Sequence, residues 1–474
     1  VVVLDNPTVF NRLGAQNPNW ITYALERDVV DKATQVPCSQ TACTAGNVEL
    51  RPDKRTRPLV VRSIAGSCLT VNFTNLLAPV ANPNNFIDNP LSDTDDVLIN
   101  NDQVAGRCAG FHASGTELVN GMEDDASMVG ANPGANTGPT DAGQPNCGPG
   151  MAAPNQTRTY ELYTPHEGAF VINSYGATIG SESNSGNLGI GMFGALNVQP
   201  PGARMYRSKL SEEEMRLATV DYSPLGQPIL DYEATYPNEA PWTLEGKAGL
   251  PILNMLTPSN ELVHGDIDAI IAGPNADYTF PSSTYPLTSV GKNSPSLPNR
   301  LEPYREFTSV FHDEQTNSQV FPLWYGNPVL NYTLAGVKDQ FMINYGSGGI
   351  GSEIIANRLH TGPMHDCTGC AYEEFFLASQ TVGDPGMLVN FPANTLIEQC
   401  DPTNILSAAC WRQFEDANPA DPNDPANVNG GNPIGANPPI PGNFALFPDD
   451  PANVHHAYTG DFVKIRNTHT GAFE

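Results

Sequence analysis

The sequence predicts an all-β protein built from repeated β-barrel domains, the last of them unfinished. Three observations carry that reading. Gly and Pro number 43 each, and charged residues are 16% against 39% hydrophobic, the balance of a loop-rich β protein. Lys is scarce, which argues against long surface helices. Two widely separated segments, GSCLTVNFTN at 66–75 and GDFVKIRN at 460–467, share one form: a Gly turn, apolar residues alternating with polar ones, and a closing Asn. Alternation marks a half-buried strand, because successive side chains point to opposite faces.

At 474 residues the chain has room for two or three domains. Residues 1–44 are expected as an N-terminal extension packed against a first barrel at 45–202. Within that barrel, 57–75 reads as strand, turn and strand, with Leu69, Val71 and Phe73 facing inward. Asn/Pro/Gly/Asp-rich loops follow at 80–103 and 130–156. Two strands lie in 157–175 and a closing strand in 189–200. Ser211 followed by Glu212, Glu213 and Glu214 predicts a helix start: the hydroxyl accepts from a free first-turn N–H, and acids suit the positive end of the helix. A second barrel is expected at 205–395, with a strand at Arg305–Asp313. Residues 396–443 are a Pro/Asn/Asp-rich linker. Residues 444–474 are expected as the first strands of a further domain. Isolated strands are marginal in water. They should therefore pair with a missing C-terminal part, a second polypeptide or a neighbouring copy.

The net charge of −28 opposes binding to nucleic acid and to anionic membranes. It suits solubility in an exposed environment, or attraction of divalent metal ions. No apolar run approaches the roughly 20 residues of a membrane span. No basic, apolar leader is visible at Val1, which implies that any signal peptide has been removed.

Nine cysteines point to an oxidising compartment: extracellular, cell-surface or periplasmic. Cys38 with Cys43 and Cys400 with Cys410 are spaced to close small loops. Cys367 and Cys370 form a CxxC, which has redox, zinc and structural readings. With no second CxxC and Gly/Pro-rich surroundings, a structural disulfide is the better one. Cys68 takes the outward side of its strand and is expected to bond Cys108, leaving Cys147 as an odd thiol or an intermolecular bond.

Several stretches resemble one family: NRLGA at 11–15, YALERDVV at 23–30, NYGSGGIG at 344–351, DCTGCAYEEFF at 366–376 and PDDPANVHH at 448–456. Together they are similar to the N-terminal part of large secreted bacterial multicopper oxidases of the manganese-oxidising branch. The resemblance implies tandem cupredoxin-like Greek-key barrels. It also implies copper as cofactor, and oxidation of Mn(II), Fe(II) or a phenol coupled to reduction of dioxygen to water.

Four His-rich motifs bind copper in such oxidases. The position matching the first is Phe111-His112-Ala113-Ser114-Gly115, which keeps one His. The position matching the second is Ile172-Asn173-Ser174-Tyr175, which keeps none, and the third would begin just after Glu474. No His-Cys-His occurs. His112 is the best metal candidate, against a hydrogen-bonded structural role. His455 and His456 are adjacent, so on a strand they face opposite ways and one of them could help a site completed from elsewhere. His264 with Asp266 and Asp268 alternates along one face and suits a hard cation or a solvated surface. His312 with Asp313 could hold a cation or end a strand in solvent. No catalytic residue is identified. Phosphate-loop, HExxH and GxSxG motifs are absent. Three function classes remain: a multicopper oxidase part with most copper ligands outside this chain, a copper-free relative kept as a structural or surface-binding protein in an extracellular assembly, and a cation-binding module.

Overall fold

The computed structural model describes residues 1–6, 8, 9, 16, 17, 20–51, 54, 56–79, 107–126, 147, 150–174, 188, 191–224, 226, 228–272, 304–315, 340–348, 455, 457 and 461–470. The expected 396–443 linker lies outside these residues, as do Cys367, Cys370, Cys400, Cys410 and His456.

The chain begins with β1 (Val2–Asp5) and β2 (Ile21–Ala24), then β3 (Leu59–Ile64) and β4 (Ser67–Asn75). Next come the short β5 (His112–Ala113) and β6 (Glu117–Leu118), then β7 (Thr157–Thr164), β8 (Gly168–Asn173) and β9 (Phe193–Gln199). These strands make two sheets, in the orders β6-β7-β4-β1-β2 and β3-β9-β8-β5. Because the chain crosses repeatedly from one sheet to the other, β1 lies parallel to β4 and β9 parallel to β3. The result is a body of two sheets packed on one core, of the cupredoxin-like kind. Its core takes Val71 and Phe73 from β4, Tyr160 and Leu162 from β7, and Ile172 and Leu196 from the facing sheet. On β4 the expected alternation holds: Val71 and Phe73 are buried, while Cys68, Thr70 and Asn72 are exposed.

β1 and β2 are part of this barrel, where an N-terminal extension was expected. They supply two of its five strands in one sheet, and Val3, Trp20 and Tyr23 sit in its core. Four consecutive buried residues in β2 hide the alternation by which a half-buried strand is recognised.

A third sheet follows. β10 (Arg204–Arg207) leads to helix α1 (Glu212–Ala218), then β11 (Asp268–Ala272), β12 (Tyr304–Gln315), β13 (Gln340–Ile343), β14 (Gly346–Gly348) and β15 (Val463–His469). The order is β10-β11-β12-β13-β14, with β15 on β12. As expected, Ser211 caps α1: its hydroxyl accepts from Glu214 N–H, and the Glu214 carboxylate accepts from Ser211 N–H.

Among the described residues β15 finds a partner for one of its edges within the chain. It runs parallel to β12 in register from Arg305↔Val463 to Phe311↔His469. It is also tied to the third sheet and the first barrel by charge. Glu306 on β12 is fully buried and accepts from Arg62 Nε (2.9 Å) on β3 and Arg466 Nε (3.0 Å) on β15. Asn197 (3.0 Å) and Gln199 (2.6 Å) on β9 complete its shell. Burial pushes this carboxyl up, but Arg62, Arg466 and Gln199 outweigh it and hold the pKa below the ordinary value. Apolar packing crosses the same junction, since Ile267, Val310 and Tyr345 belong to the first barrel's core.

Two disulfides lie among the described residues. Cys38 bonds Cys43, as spacing suggests. Cys108 bonds Cys147, so the expected Cys68–Cys108 bridge and the odd Cys147 are both corrected. Cys108 is buried in the core while Cys68 is exposed on the outer face of β4, so the sheet itself separates them.

Candidate functional site

The corner where β5 meets β8 brings together the two segments matched to copper motifs. Phe111 is buried against Tyr23 and Tyr160, at ring-centroid distances of 6.1 and 6.5 Å. Anchoring Phe111 inward turns the next residue, His112, away from the core. Gly110 permits the approach: a Cβ there would lie 2.2 Å from Ala126 Cβ. Its N–H donates to Ser174 Oγ at 3.1 Å. In the β5/β8 register His112 stands opposite Asn173. His112 Nδ1 lies 2.7 Å from Asp125 Oδ1, both side chains being about a quarter exposed.

This corner offers one imidazole and one carboxylate. A copper electron-transfer centre takes two His and a Cys thiolate, and copper prefers nitrogen and sulfur donors. Among the described residues no group of three His, Cys, Asp or Glu is placed to hold a metal ion. The donor set here does not by itself fit a copper centre, and no redox step is routed through it.

The face of His264, Asp266 and Asp268, expected as a solvated surface or a hard-cation site, is neither: Asp268 is buried, and the chain's own cations fill the face. Arg207 Nε donates to Asp266 Oδ2 at 2.9 Å, and its Nη1 pairs with Glu214 Oε1 at 2.9 Å. Tyr236 OH donates to Glu214 at 2.6 Å. Lys209 pairs with Asp268. Glu214 and Asp266 are buried, which raises their pKa values, yet Arg207 pulls both below the ordinary range. His264 is pushed down to about 3 by burial and by Arg207, so its neutral ring donates Nε2–H to Pro251 O at 2.8 Å.

His455 stacks on Phe307 with ring centroids 4.6 Å apart, and its Nδ1 pairs with Asp268. It anchors the segment before β15 to β11 and β12. His112 and His455 are not brought together. His312, expected at a strand end in solvent, is buried within β12 beside Trp20 and Phe193, 4.8 Å from the latter ring. The Glu306 set escaped sequence reading, although its signal was present: Arg62, Glu306 and Arg466 are charges of opposing sign within otherwise apolar-patterned strands.

No protein-family model matches the chain, and no curated protein does. Solved structures similar to parts of it include a multi-copper oxidase from Pseudomonas thermotolerans (15% identity, 42% of this chain, 29% of that one, TM-score 0.22). A copper nitrite reductase from Nitrosomonas europaea (11%, 42% and 41%, TM-score 0.20) and the multicopper oxidase mgLAC (14%, 31% and 31%, TM-score 0.17) are others. The matched region spans less than half the length of each.

Proposed function

We propose that this chain is the barrel scaffold of a multicopper-oxidase-type protein, with most copper ligands supplied outside the described residues. The substrate would be Mn(II), Fe(II) or a phenol, with dioxygen as the electron acceptor. The observation that supports this best is the β5/β8 register: segments 110–115 and 172–174, far apart in sequence, converge with His112 opposite Asn173. Two disulfides suit a secreted or periplasmic setting. No helix among the described residues is long and apolar enough to cross a membrane.

A second reading is favoured by how the candidate ligands are engaged. Asp125 holds His112, and Arg207 and Lys209 occupy Asp266 and Asp268. That pattern supports a copper-free relative with a structural or surface-binding role. One experiment decides between the two. The native protein is purified with whatever polypeptide accompanies it, its metal is quantified, and oxygen uptake is followed with Mn(II), Fe(II) and a phenol. Stoichiometric copper with substrate-dependent oxygen uptake supports the oxidase. A metal-free protein that takes up no copper and consumes no oxygen would replace it with the structural reading.

A further inference from the structure

The outer face of the first sheet carries a motif that neither reading of the copper corner uses. Asn-X-Ser/Thr, the acceptor pattern for N-linked glycans, occurs twice among the described residues: Asn72-Phe73-Thr74 and Asn155-Gln156-Thr157. The two lie side by side. Thr157 stands opposite Thr74 in the β4/β7 register, and their hydroxyls are 2.9 Å apart.

The fold presents them differently. Asn72 lies inside β4, between β1 and β7, and its Oδ1 accepts from Thr159 Oγ1 on the neighbouring strand at 2.9 Å. Asn155 stands in the turn that leads into β7. Gln156 N–H donates to Ala153 O at 2.9 Å and closes that turn. Pro154 followed by Asn155 at φ +66° is the residue order of a type II turn, and Asn tolerates that conformation better than most residues. The Asn155 backbone N–H donates to Asn75 O at 2.8 Å, and its side-chain Oδ1 accepts from Ala45 N–H at 2.7 Å. A backbone N–H needs an acceptor, so the amide oxygen is the atom held at Ala45. The residue is exposed, and its Nδ2 makes no hydrogen bond among the described residues.

We propose that Asn155 is an N-glycosylation site. The step joins Asn155 Nδ2 to the anomeric carbon of a sugar supplied as a glycosyl diphosphate. The carbon–oxygen bond to the diphosphate breaks, the diphosphate leaves with the electron pair, and one Nδ2 proton is lost. Thr157, whose hydroxyl completes the motif, is tied to Thr74 once β7 has paired with β4, so transfer precedes that pairing. The folded turn then tolerates the product, because Oδ1 still accepts from Ala45 and no bond to Nδ2 is displaced. A bulky hydrophilic glycan here shields the outer face of β4 and β7, so a partner polypeptide must seat elsewhere. This assignment rests on the secreted or periplasmic setting that the disulfides support, and not on the oxidase reading.

Peptide mapping of the native protein tests it, since tryptic peptides 63–107 and 108–158 each hold one of the two motifs. Carbohydrate assigned to Asn155 by fragmentation is expected, with or without carbohydrate on Asn72. Thr157→Ala, produced in the same host, should lose it, and Thr157→Ser, which keeps the hydroxyl, should retain it. A bare Asn155 in the native protein would overturn the proposal. So would carbohydrate confined to 63–107, or carbohydrate kept on Asn155 in Thr157→Ala. The same map separates the two ways to fail. A bare Asn155 with Cys38–Cys43 and Cys108–Cys147 intact rejects the glycan alone, while a bare Asn155 with those four thiols free rejects the secreted setting as well.

Discussion

Two of the places where this molecule sets a carboxylate against cationic or titratable groups differ sharply. At the junction, Glu306 has no solvent access and four donors, and those donors come from β3, β9 and β15. At the β5/β8 corner, Asp125 meets His112 in a contact that is part-exposed and local, the two residues being 13 apart. A buried and saturated carboxylate fixes how pieces of chain sit together and is costly to disturb. A part-exposed pair is cheap to disturb, so its place in the fold can change chemistry without unfolding the protein. The junction is architecture, and the corner is where function can vary.

The sharpest way to break this contrast is to remove the buried charge. Glu306→Gln leaves Arg62 and Arg466 buried without their carboxylate and should cost roughly 3–5 kcal/mol in denaturant unfolding. Arg466→Met should fall in the same range, because Glu306 then keeps a single cation. A loss under about 1 kcal/mol for both, the range of a surface pair, would dissolve the distinction. Next in size, Cys147→Ser opens a bridge of sequence separation 39 and should cost about 3–4 kcal/mol. In the oxidised wild-type protein a thiol reagent should label Cys68 and leave Cys38, Cys43, Cys108 and Cys147 unlabelled, as peptide mapping would show.

A third effect depends on pH. His264 is neutral in the fold, with a pKa near 3, and takes up a proton near 6.5 once unfolded. Protonation therefore favours the unfolded chain, and stability drains away as pH falls from about 6.5 toward 3. Glu306 and Asp266 have depressed pKa values, so their contribution is complete above the ordinary carboxylate range and is lost only below it. The buried Val1 amine, lowered to about 6, adds the same sign of dependence above pH 6, so below pH 6 His264 carries the acid sensitivity these shifts predict, and His264→Gln should reduce it in thermal melts. A slope unchanged by that substitution would assign the window to another group. The smallest effect is expected at the corner: His112→Ala should cost less than about 1 kcal/mol. A cost near that of Glu306→Gln would make the corner structural too.

Much of the local structure was legible in the sequence. The period of β4 gave its inward face, Ser211 and the acids after it gave the α1 capping box, and spacing gave Cys38–Cys43. What could not be read is which elements become neighbours. The pattern of β15 marks a half-buried strand but says nothing of a parallel partner some 150 positions earlier. The outward facing of Cys68 was correct, and it excludes the bridge to Cys108 that was drawn from it, because Cys108 lies in the core. His264, Asp266 and Asp268 read as a solvated face or a cation site because their counter-charges, Arg207 and Lys209, stand on and just beyond another strand.

The central claim is that β15 joins this chain's own third sheet beside β12 and locks it to the first barrel through Arg466 and Glu306. Hydrogen–deuterium exchange across 463–469 in the full chain tests it most directly. The account predicts that the amides of β15 bonded to β12 are protected as strongly as β12 itself and lose that protection together with it in Arg466→Met. Exchange in 463–469 as fast as in the exposed turn at Lys32–Gln35, with β12 still protected, would contradict it.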